Sequence, residues 1–398
     1  MTHAKVTVRA LALGLLVLGG AACAMDAASA FEASKGSPGD ADGGASREAA
    51  NDLGGAPAFQ GAPTATGVVL VHAASFPAFR LCFEGQEGLQ PQPNSKIMPD
   101  ANVVGVEIGS LVRIDPLVAS GKVYVINEAD VRSPSGDATA PTCGDLLGIP
   151  KRGPKTLTRD NHYHEVKTRL TRPLGQAGVQ VLAITGCGSQ AFLNTLDNAP
   201  GGTNAPSAHC GADWNPTSGN LDVKIVDLSP TAEGATATSL PVQLFHMSPA
   251  IEAFRTASGS LEVTFGPLSK VKPRAVATGA LFTGGEQESL ALDQTTPAVY
   301  GATGFEIAVT SPAGSSRTEQ SLASIQELSS PRDLPTTYYR AASNYALILL
   351  GDPAHKPTLD GGGPNPEYNP RRAVHLLAVP VLDPTRAADA GADASDGG

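Results

Sequence analysis

Short apolar runs rich in Val, Ile and Leu recur along the chain, with turn-forming residues between them. Such short runs predict β-strands, whereas an amphipathic helix needs a longer stretch with apolar residues three and four positions apart. The strands predicted in the first half are 67–72, 79–83, 103–108, 111–114, 123–127, 179–185 and 221–227. Those predicted in the second half are 242–246, 261–265, 275–278, 288–292, 305–310, 345–350 and 373–379. Short helices are expected near 164–170 and 321–328.

One sequence pattern occurs twice. Residues 70–80 run from an apolar strand through His72 and a Ser/Pro turn to Phe-Arg, and residues 244–255 repeat this order around His246 with an extra residue. Further apolar runs that end at a glycine correspond in the same order, which indicates a duplicated unit. Because neither histidine comes with a nucleophile motif or a paired acid, we interpret both as braces of the turn and not as general bases.

The many short strands predict a mainly all-β fold of two β-sandwich-like domains of short antiparallel strands. We expect the first domain at 67–230, a linker at 231–240 and the second domain at 241–384. The composition agrees with this fold, because 44 Gly and 32 Pro among 398 residues would interrupt long helices.

The charge pattern argues against nucleic acid as a partner. The net charge is −10, and no basic stripe interleaved with aromatic residues is present. Neither a phosphate-binding loop nor a dinucleotide-binding glycine motif occurs outside the leader, so no cofactor is expected.

The two ends of the chain have the composition of exported proteins. Residues 1–22 combine a basic start, a short apolar run and small residues, as in a signal peptide, and the apolar run is too short to span a bilayer. Residues 18–23 resemble a bacterial lipobox, with Gly20 in place of the usual Leu, which implies a lipid on Cys23 and an outer-membrane location. The alternative is ordinary cleavage and a soluble periplasmic or secreted protein. Residues 23–66 are expected to be a flexible tether and 385–398 a disordered tail.

Four further cysteines are an even number in an exported chain, which predicts two disulfides. Pairing of neighbours predicts Cys82–Cys143 and Cys187–Cys210. A zinc site made of the four thiolates is the alternative, but the chain lacks the C-x2-C spacing that such sites use.

The stretch with the most potential metal ligands is His162-Tyr163-His164-Glu165. On a strand, His162 and His164 would share a face and could bind a metal with a third ligand such as His209. A histidine pair in a polar loop more often hydrogen-bonds locally.

The only tryptophan, Trp214, lies close to Cys210 and between Asp213 and Asn215. An aromatic ring in a polar loop is one way to bind a sugar. A lone Trp near a disulfide more often packs against it.

The motif His246-Met247-Ser248-Pro249-Ala250 resembles the H-A-S-P-x-A strand opening of a family of secreted bacterial domains of unknown function. Residues 345–351 and 373–379 resemble the family's Tyr-containing strand stopped by Gly and its last apolar strand, while the first half departs from the motif at 72–77. The leader, tether and tail resemble those of myxobacterial-type surface lipoproteins. The resemblance implies a β-sandwich and an envelope location, and it implies no catalytic residues.

Together these patterns predict a cell-envelope lipoprotein with a non-enzymatic binding or structural role at the bacterial surface, whose partners are the membrane and a glycan or an envelope protein. Alternatives are a surface carbohydrate-binding module that uses the Trp214 loop and a metal-dependent hydrolase that uses His162 and His164.

Overall fold

The computed structural model describes residues 64–74, 78–86, 97–99, 105–117, 119–131, 142–147, 157–159, 162–194, 210, 213–255, 258–269, 274–277, 286–358, 362–366 and 368–383. The predicted leader, Cys23, the tether up to residue 63 and the predicted tail lie outside these ranges.

The described part of the first half forms two facing sheets. Its strands are β1 (Gly67–His72), β2 (Phe79–Gln86), β3 (Leu111–Ile114), β4 (Ala119–Asn127), β5 (Tyr163–Leu170), β6 (Val179–Thr185) and β7 (Asp222–Leu228). Its helices are α1 (Glu128–Val131), α2 (Cys143–Leu147) and α3 (Gln190–Asn194). The strand orders are β3-β1-β6-β7 in one sheet and β2-β4-β5 in the other.

The described part of the second half also forms two facing sheets. Its strands are β8 (Ser239–His246), β9 (Leu261–Pro267), β10 (Arg274–Ala277), β11 (Glu286–Ala291), β12 (Thr303–Ser311), β13 (Gly314–Ser321), β14 (Asn344–Leu350) and β15 (His375–Val381). Its helices are α4 (Pro249–Arg255), α5 (Val299–Ala302), α6 (Leu322–Ser329) and α7 (Pro335–Tyr338). The strand orders are β11-β8-β14-β15 and β10-β9-β12-β13.

The two halves share one topology. If β1 is matched with β8, β2 with β9, β3 with β11, and β4 to β7 with β12 to β15, the strand orders coincide, and β10 is an additional edge strand. Each half contains one parallel pair, β1 with β6 and β8 with β14, among antiparallel ladders. The predicted sandwich fold is thus confirmed, and the shared topology agrees with the predicted duplication, but the two central pairs are parallel and not antiparallel.

Along the central strands, alternate side chains face the interior of their own sandwich, so that each sandwich has its own core. In β1, Val68 and Leu70 face the first core. In β14, Leu347 and Leu349 face the second core. The residues next to them in each strand face away from these cores, because successive side chains of a strand lie on opposite faces.

A third apolar cluster joins the two halves, and we call it the junction core. It contains Val69, Val71, Leu111, Val179, Val181, Ala183 and Leu228 from the first half and Phe245, Met247, Ala346, Ile348, Leu350, Leu377, Val379 and Val381 from the second. The sheets of β1 and β14 therefore pack against each other, and strands β1, β6, β14 and β15 are buried at every position. The described sheets form four layers.

Two predicted elements in the first half are wrong. The expected helix at 164–170 is strand β5, because this segment pairs with β4 and completes the second sheet. Within the expected strand at 103–108, the described residues 105–108 form only an isolated bridge between Val106 and Phe79.

In the second half, the polar strand β13 was not predicted, while the helix expected near 321–328 is confirmed as α6. This helix begins after Ser321, whose side chain accepts a hydrogen bond from the Ser324 amide, as is usual for an N-cap.

The sheets of the two halves are not interleaved, since each described sheet takes its strands from one half. The described residues nevertheless belong to one compact unit, and the division into domains at 230 and 241 stays a prediction. Among the described helices, none has both the length and the apolar character that a transmembrane span requires.

Candidate functional site

A cleft opens where the central strands β1, β6, β8 and β14 end, and both halves contribute to it. Residues 72–74, 108–109 and 186 line it from the first half, and residues 248–250, 351–352 and 371–372 line it from the second. We call it the junction cleft. Its volume is about 30 Å³ for water-sized molecules. Ligand sites commonly lie at the carboxyl ends of parallel strands, because chain segments diverge there and leave room.

Two glycines end the central strands at the cleft. Gly186 follows β6 with φ +82°, and Gly351 follows β14 with φ +92°. A Cβ atom on Gly186 would lie 2.5 Å from the carbonyl oxygen of Asn220, and one on Gly351 would lie 1.9 Å from that of Ala373. Both positions need glycine, because the left-handed conformation and the close backbone leave no space for a side chain.

The segment after His246 is helix α4 and not a simple turn. The Ser248 hydroxyl donates a hydrogen bond to the carbonyl oxygen of Gly351 and accepts one from the Ile251 amide at 3.1 Å.

His246 has a fully buried side chain and donates from Nε2 to Glu252 Oε1 at 2.8 Å. Burial would raise the pKa of Glu252, but hydrogen bonds from His246 and Arg255 outweigh it and lower this pKa. His246 therefore braces the start of α4.

His72, the counterpart of His246, is also buried. Its ring lies against Phe79, with centroids 4.9 Å apart. Its backbone amide donates to the carbonyl oxygen of Ser110 at 3.0 Å. These contacts agree with a structural role for the residue.

Two adjacent arginines reach the cleft from the turn Asn369-Pro370-Arg371-Arg372. The Asn369 amide donates to His355 Nε2 at 2.9 Å, and the Asn369 side chain accepts from the Arg371 amide at 2.9 Å. The carbonyl oxygen of Arg372 accepts from the Asp352 amide at 2.9 Å. These bonds tie the turn to the loop that follows β14, and Arg371 and Arg372 of the turn line the cleft.

Arg371, which lines the cleft, is incompletely hydrogen-bonded. Its Nη2 atom lies 3.4 Å from the carbonyl oxygen of Leu328, and its buried Nη1 atom has no hydrogen-bond partner among the described residues. Burial lowers the pKa of Arg371, and the nearby Glu107 carboxylate partly opposes this shift. Asp352 also lines the cleft, and its Oδ1 atom accepts from the Ala354 amide at 2.8 Å.

Behind the cleft, His375 joins the two halves. Its Nε2 atom lies 2.8 Å from the carbonyl oxygen of Gly109, and its Nδ1 atom lies 2.7 Å from that of Ala373. Burial lowers the pKa of His375, and Arg371 lowers it further, against the raising effect of the two carbonyl groups.

A wider groove of about 510 Å³ lies at the opposite ends of the central strands. Its lining includes Arg172 and Asp227, which form an ion pair with an N···O distance of 3.0 Å. Because these two charges are already paired with each other, the junction cleft is the better candidate for ligand binding.

Both predicted disulfides are confirmed. Cys82 is bonded to Cys143, and Cys187 is bonded to Cys210. The first bridge holds α2 against the outer face of the β2-β4-β5 sheet. Disulfides are typical of secreted and periplasmic proteins, so the bridges indicate an extracellular or envelope protein.

The predicted sugar-binding residues stabilise their own loop. Trp214 is partly buried against the core that contains the Cys187–Cys210 bridge, and its Nε1 atom donates to the carbonyl oxygen of Gly188 at 2.9 Å. Asp213 accepts from the Asn220 side chain at 2.9 Å, and Asn215 accepts from the Thr217 amide at 2.8 Å.

The predicted metal ligands do not share a face of one strand. His162 precedes β5, and its Nδ1 atom accepts from the Thr158 amide at 3.1 Å. His164 is buried, and its Nε2 atom accepts from the Ser189 amide at 2.8 Å. Across the part of the chain that is described, no cluster of three His, Cys, Asp or Glu residues could hold a metal ion. His209 lies outside the described residues, and the metal site stays a prediction.

Sequence reasoning missed Arg371, Arg372 and His375. One signal was available: two adjacent basic residues stand between an Asn-Pro turn and a strand that is apolar apart from His375, in a chain with only 28 Lys and Arg. Nothing in the sequence indicates that Gly109 of the first half lies opposite His375.

The chain matches no protein-family model and no curated protein sequence. Among solved structures, a crystal structure described as a "putative cell adhesion protein" from Bacteroides eggerthii DSM 20697 aligns with 80% of this chain and 96% of its own. The identity is 12% and the TM-score is 0.18, a similarity too low to carry an argument about fold or function.

Proposed function

We propose that this protein is a lipid-anchored envelope protein that binds a ligand or partner through the junction cleft without catalysing a reaction. The observation that carries the binding role is the cleft itself, which both halves build and which an incompletely hydrogen-bonded arginine, Arg371, lines. A ligand that supplies an acceptor to Arg371 would remove the cost of its unpaired N–H group, which is about 1–3 kcal/mol.

The proposed location rests on the disulfides and on the sequence before Cys23. Disulfides persist in the envelope and outside the cell, where thiols are not kept reduced. The lipobox-like residues 18–23 support a lipid on Cys23, which would hold the sandwiches at the outer membrane by the tether.

The anchor is tested by expressing the full chain in a Gram-negative host with an alkyne-labelled fatty acid. We expect label on the wild-type protein and none on Cys23→Ser, with the wild-type protein in the outer-membrane fraction. A mature wild-type N-terminus beyond Cys23, detected by mass spectrometry, would contradict the anchor. A soluble, unlabelled wild-type protein would leave a periplasmic or secreted binding protein.

A sugar-binding role for Trp214 is not favoured over the cleft, because the indole N–H and part of the ring are already used inside the loop.

A further inference from the structure

We propose that the junction cleft binds a small oxyanion, of the carboxylate or phosphate class, with the Arg371 guanidinium as its main contact. This inference builds on the binding role proposed above, since it names the ligand class of the same cleft. It does not depend on the lipid anchor.

Arg371 has unsatisfied hydrogen-bonding capacity. A guanidinium carries five N–H donors in a planar fork that matches carboxylate and phosphate oxygens. The buried Nη1 atom of Arg371 has no acceptor among the described residues, and its Nη2 atom has only a long contact to Leu328. An oxyanion would supply the missing acceptor and offset the buried positive charge.

The side chains that line the cleft carry a net positive charge. The charged side chains that line it are Arg371, Arg372 and Asp352, which favours a negative ligand by one unit. Glu107 lies close enough to Arg371 to influence its charge but does not line the cleft. The Asp352 carboxylate would repel a bound anion. Removal of its charge should therefore strengthen anion binding, whereas removal of the Arg371 charge should weaken it.

The volume of the cleft limits the bound group to a small one. A bound water needs roughly 10–15 Å³ of such space, so about 30 Å³ holds a group of a few heavy atoms. The small lining residues, which include Gly109, Gly186 and Gly351, keep the cleft open to a head group. A larger ligand would place only its anionic end there.

The test is a titration of the purified disulfide-bonded chain with inorganic phosphate and, separately, with acetate, each against sodium chloride at equal ionic strength. We expect a saturable rise in thermal stability and matching calorimetric binding for at least one of the anions. A response to phosphate alone would indicate a phosphate ligand, and a response to acetate alone would indicate a carboxylate end group. No saturable response to either anion would overturn the proposal.

Three variants make the test specific. Arg371→Gln should weaken binding at least about tenfold, since it removes a charged donor. Asp352→Asn should tighten binding about threefold, because it removes a repulsive charge and keeps an oxygen for the Ala354 amide. Arg317→Gln is the matched control, because this exposed arginine lies on β13 and outside the cleft.

An Arg371→Gln variant that binds as the wild type does would refute the assignment, as would weaker binding by Asp352→Asn. If Arg371→Gln does not fold, as judged by near-UV circular dichroism, Arg371→Lys replaces it and should still bind less tightly than the wild type. Loss of anion binding with intact labelling of Cys23 would remove this inference and leave the proposed location standing.

Discussion

The Nε2 atom of His375 lies 2.8 Å from the carbonyl oxygen of Gly109, a contact between residues 266 positions apart that joins the two halves. The Nδ1 atom faces a second carbonyl oxygen, that of Ala373. A neutral imidazole has one N–H group, so it can donate to only one of these oxygens. The pair forms a polar contact beside the apolar junction core.

Two substitutions of His375 should distinguish the contributions of its two ring contacts to stability. His375→Gln places an amide near the former Nε2 position and can keep the bond to Gly109, whereas His375→Asn can keep only the bond to Ala373. We expect the Asn variant to lose about 2–4 kcal/mol of unfolding free energy, and the Gln variant to lose clearly less. Urea denaturation measures both variants. Equal losses would show that the contact between the halves contributes nothing.

The lowered pKa of His375 predicts that stability falls in mild acid. The unfolded chain takes up this proton near pH 6.5, whereas the buried imidazole takes it up at a lower pH. Between these two values the unfolded state binds more protons, so stability decreases as the pH falls, by at most about 1.4 kcal/mol per pH unit for this group.

This contribution is isolated by comparing the wild type with His375→Gln in denaturant titrations from pH 7.5 to pH 5. The difference in stability between the two proteins should shrink as the pH falls below about 6.5. A difference that stays constant, or that grows in acid, would disprove the assignment.

Gly351 at the end of β14 should be intolerant of any side chain. A Cβ atom there would lie 1.9 Å from the carbonyl oxygen of Ala373, whereas one on Gly362, which has a similar positive φ, would meet no atom within 4 Å. We expect Gly362→Ala to cost about 1 kcal/mol for backbone strain alone, and Gly351→Ala to cost more than about 3 kcal/mol. Thermal and urea unfolding measure both. Similar losses would mean that the strand end relaxes easily.

Trp214 should matter for the loop and not for sugar binding. Trp214→Phe keeps an aromatic ring but loses the bond to Gly188, which should cost about 1 kcal/mol. Trp214→Ala should cost more and speed limited proteolysis of the loop. Glycan arrays, probed at a temperature where all three proteins are folded, should give the same result for each. A glycan signal of the wild type that Trp214→Ala loses would instead support the carbohydrate-binding hypothesis.

Sequence patterns were sufficient where apolar residues decide the structure. The central strands β1, β6 and β14 are apolar throughout and were predicted nearly residue for residue. The polar edge strand β13 was missed because only Ser316 and Gln320 of its residues are fully buried, so that backbone pairing with β12 and not side-chain burial determines it.

The candidate site was less accessible to sequence reasoning for a similar reason. The repeat around His72 and His246 pointed to the correct strand ends, but the junction cleft depends on how the two halves meet. Arg371 is distant in sequence from Gly109 and Gly186, and only the packing of the two inner sheets brings these residues to one place. The periodicity and spacing of residues along the sequence carry no information about how the two halves pack against each other.

The four-layer arrangement means that neither copy of the repeated unit could be removed without exposing an apolar sheet. Strands β1, β6, β14 and β15 of the inner sheets are buried on both faces, so either copy on its own would expose a broad apolar surface. A protein with a single copy would have to form a homodimer, or bind another protein through this apolar surface, to remain soluble. Because both copies lie in one polypeptide, each copy always has the other to pack against, and this packing does not depend on the protein concentration.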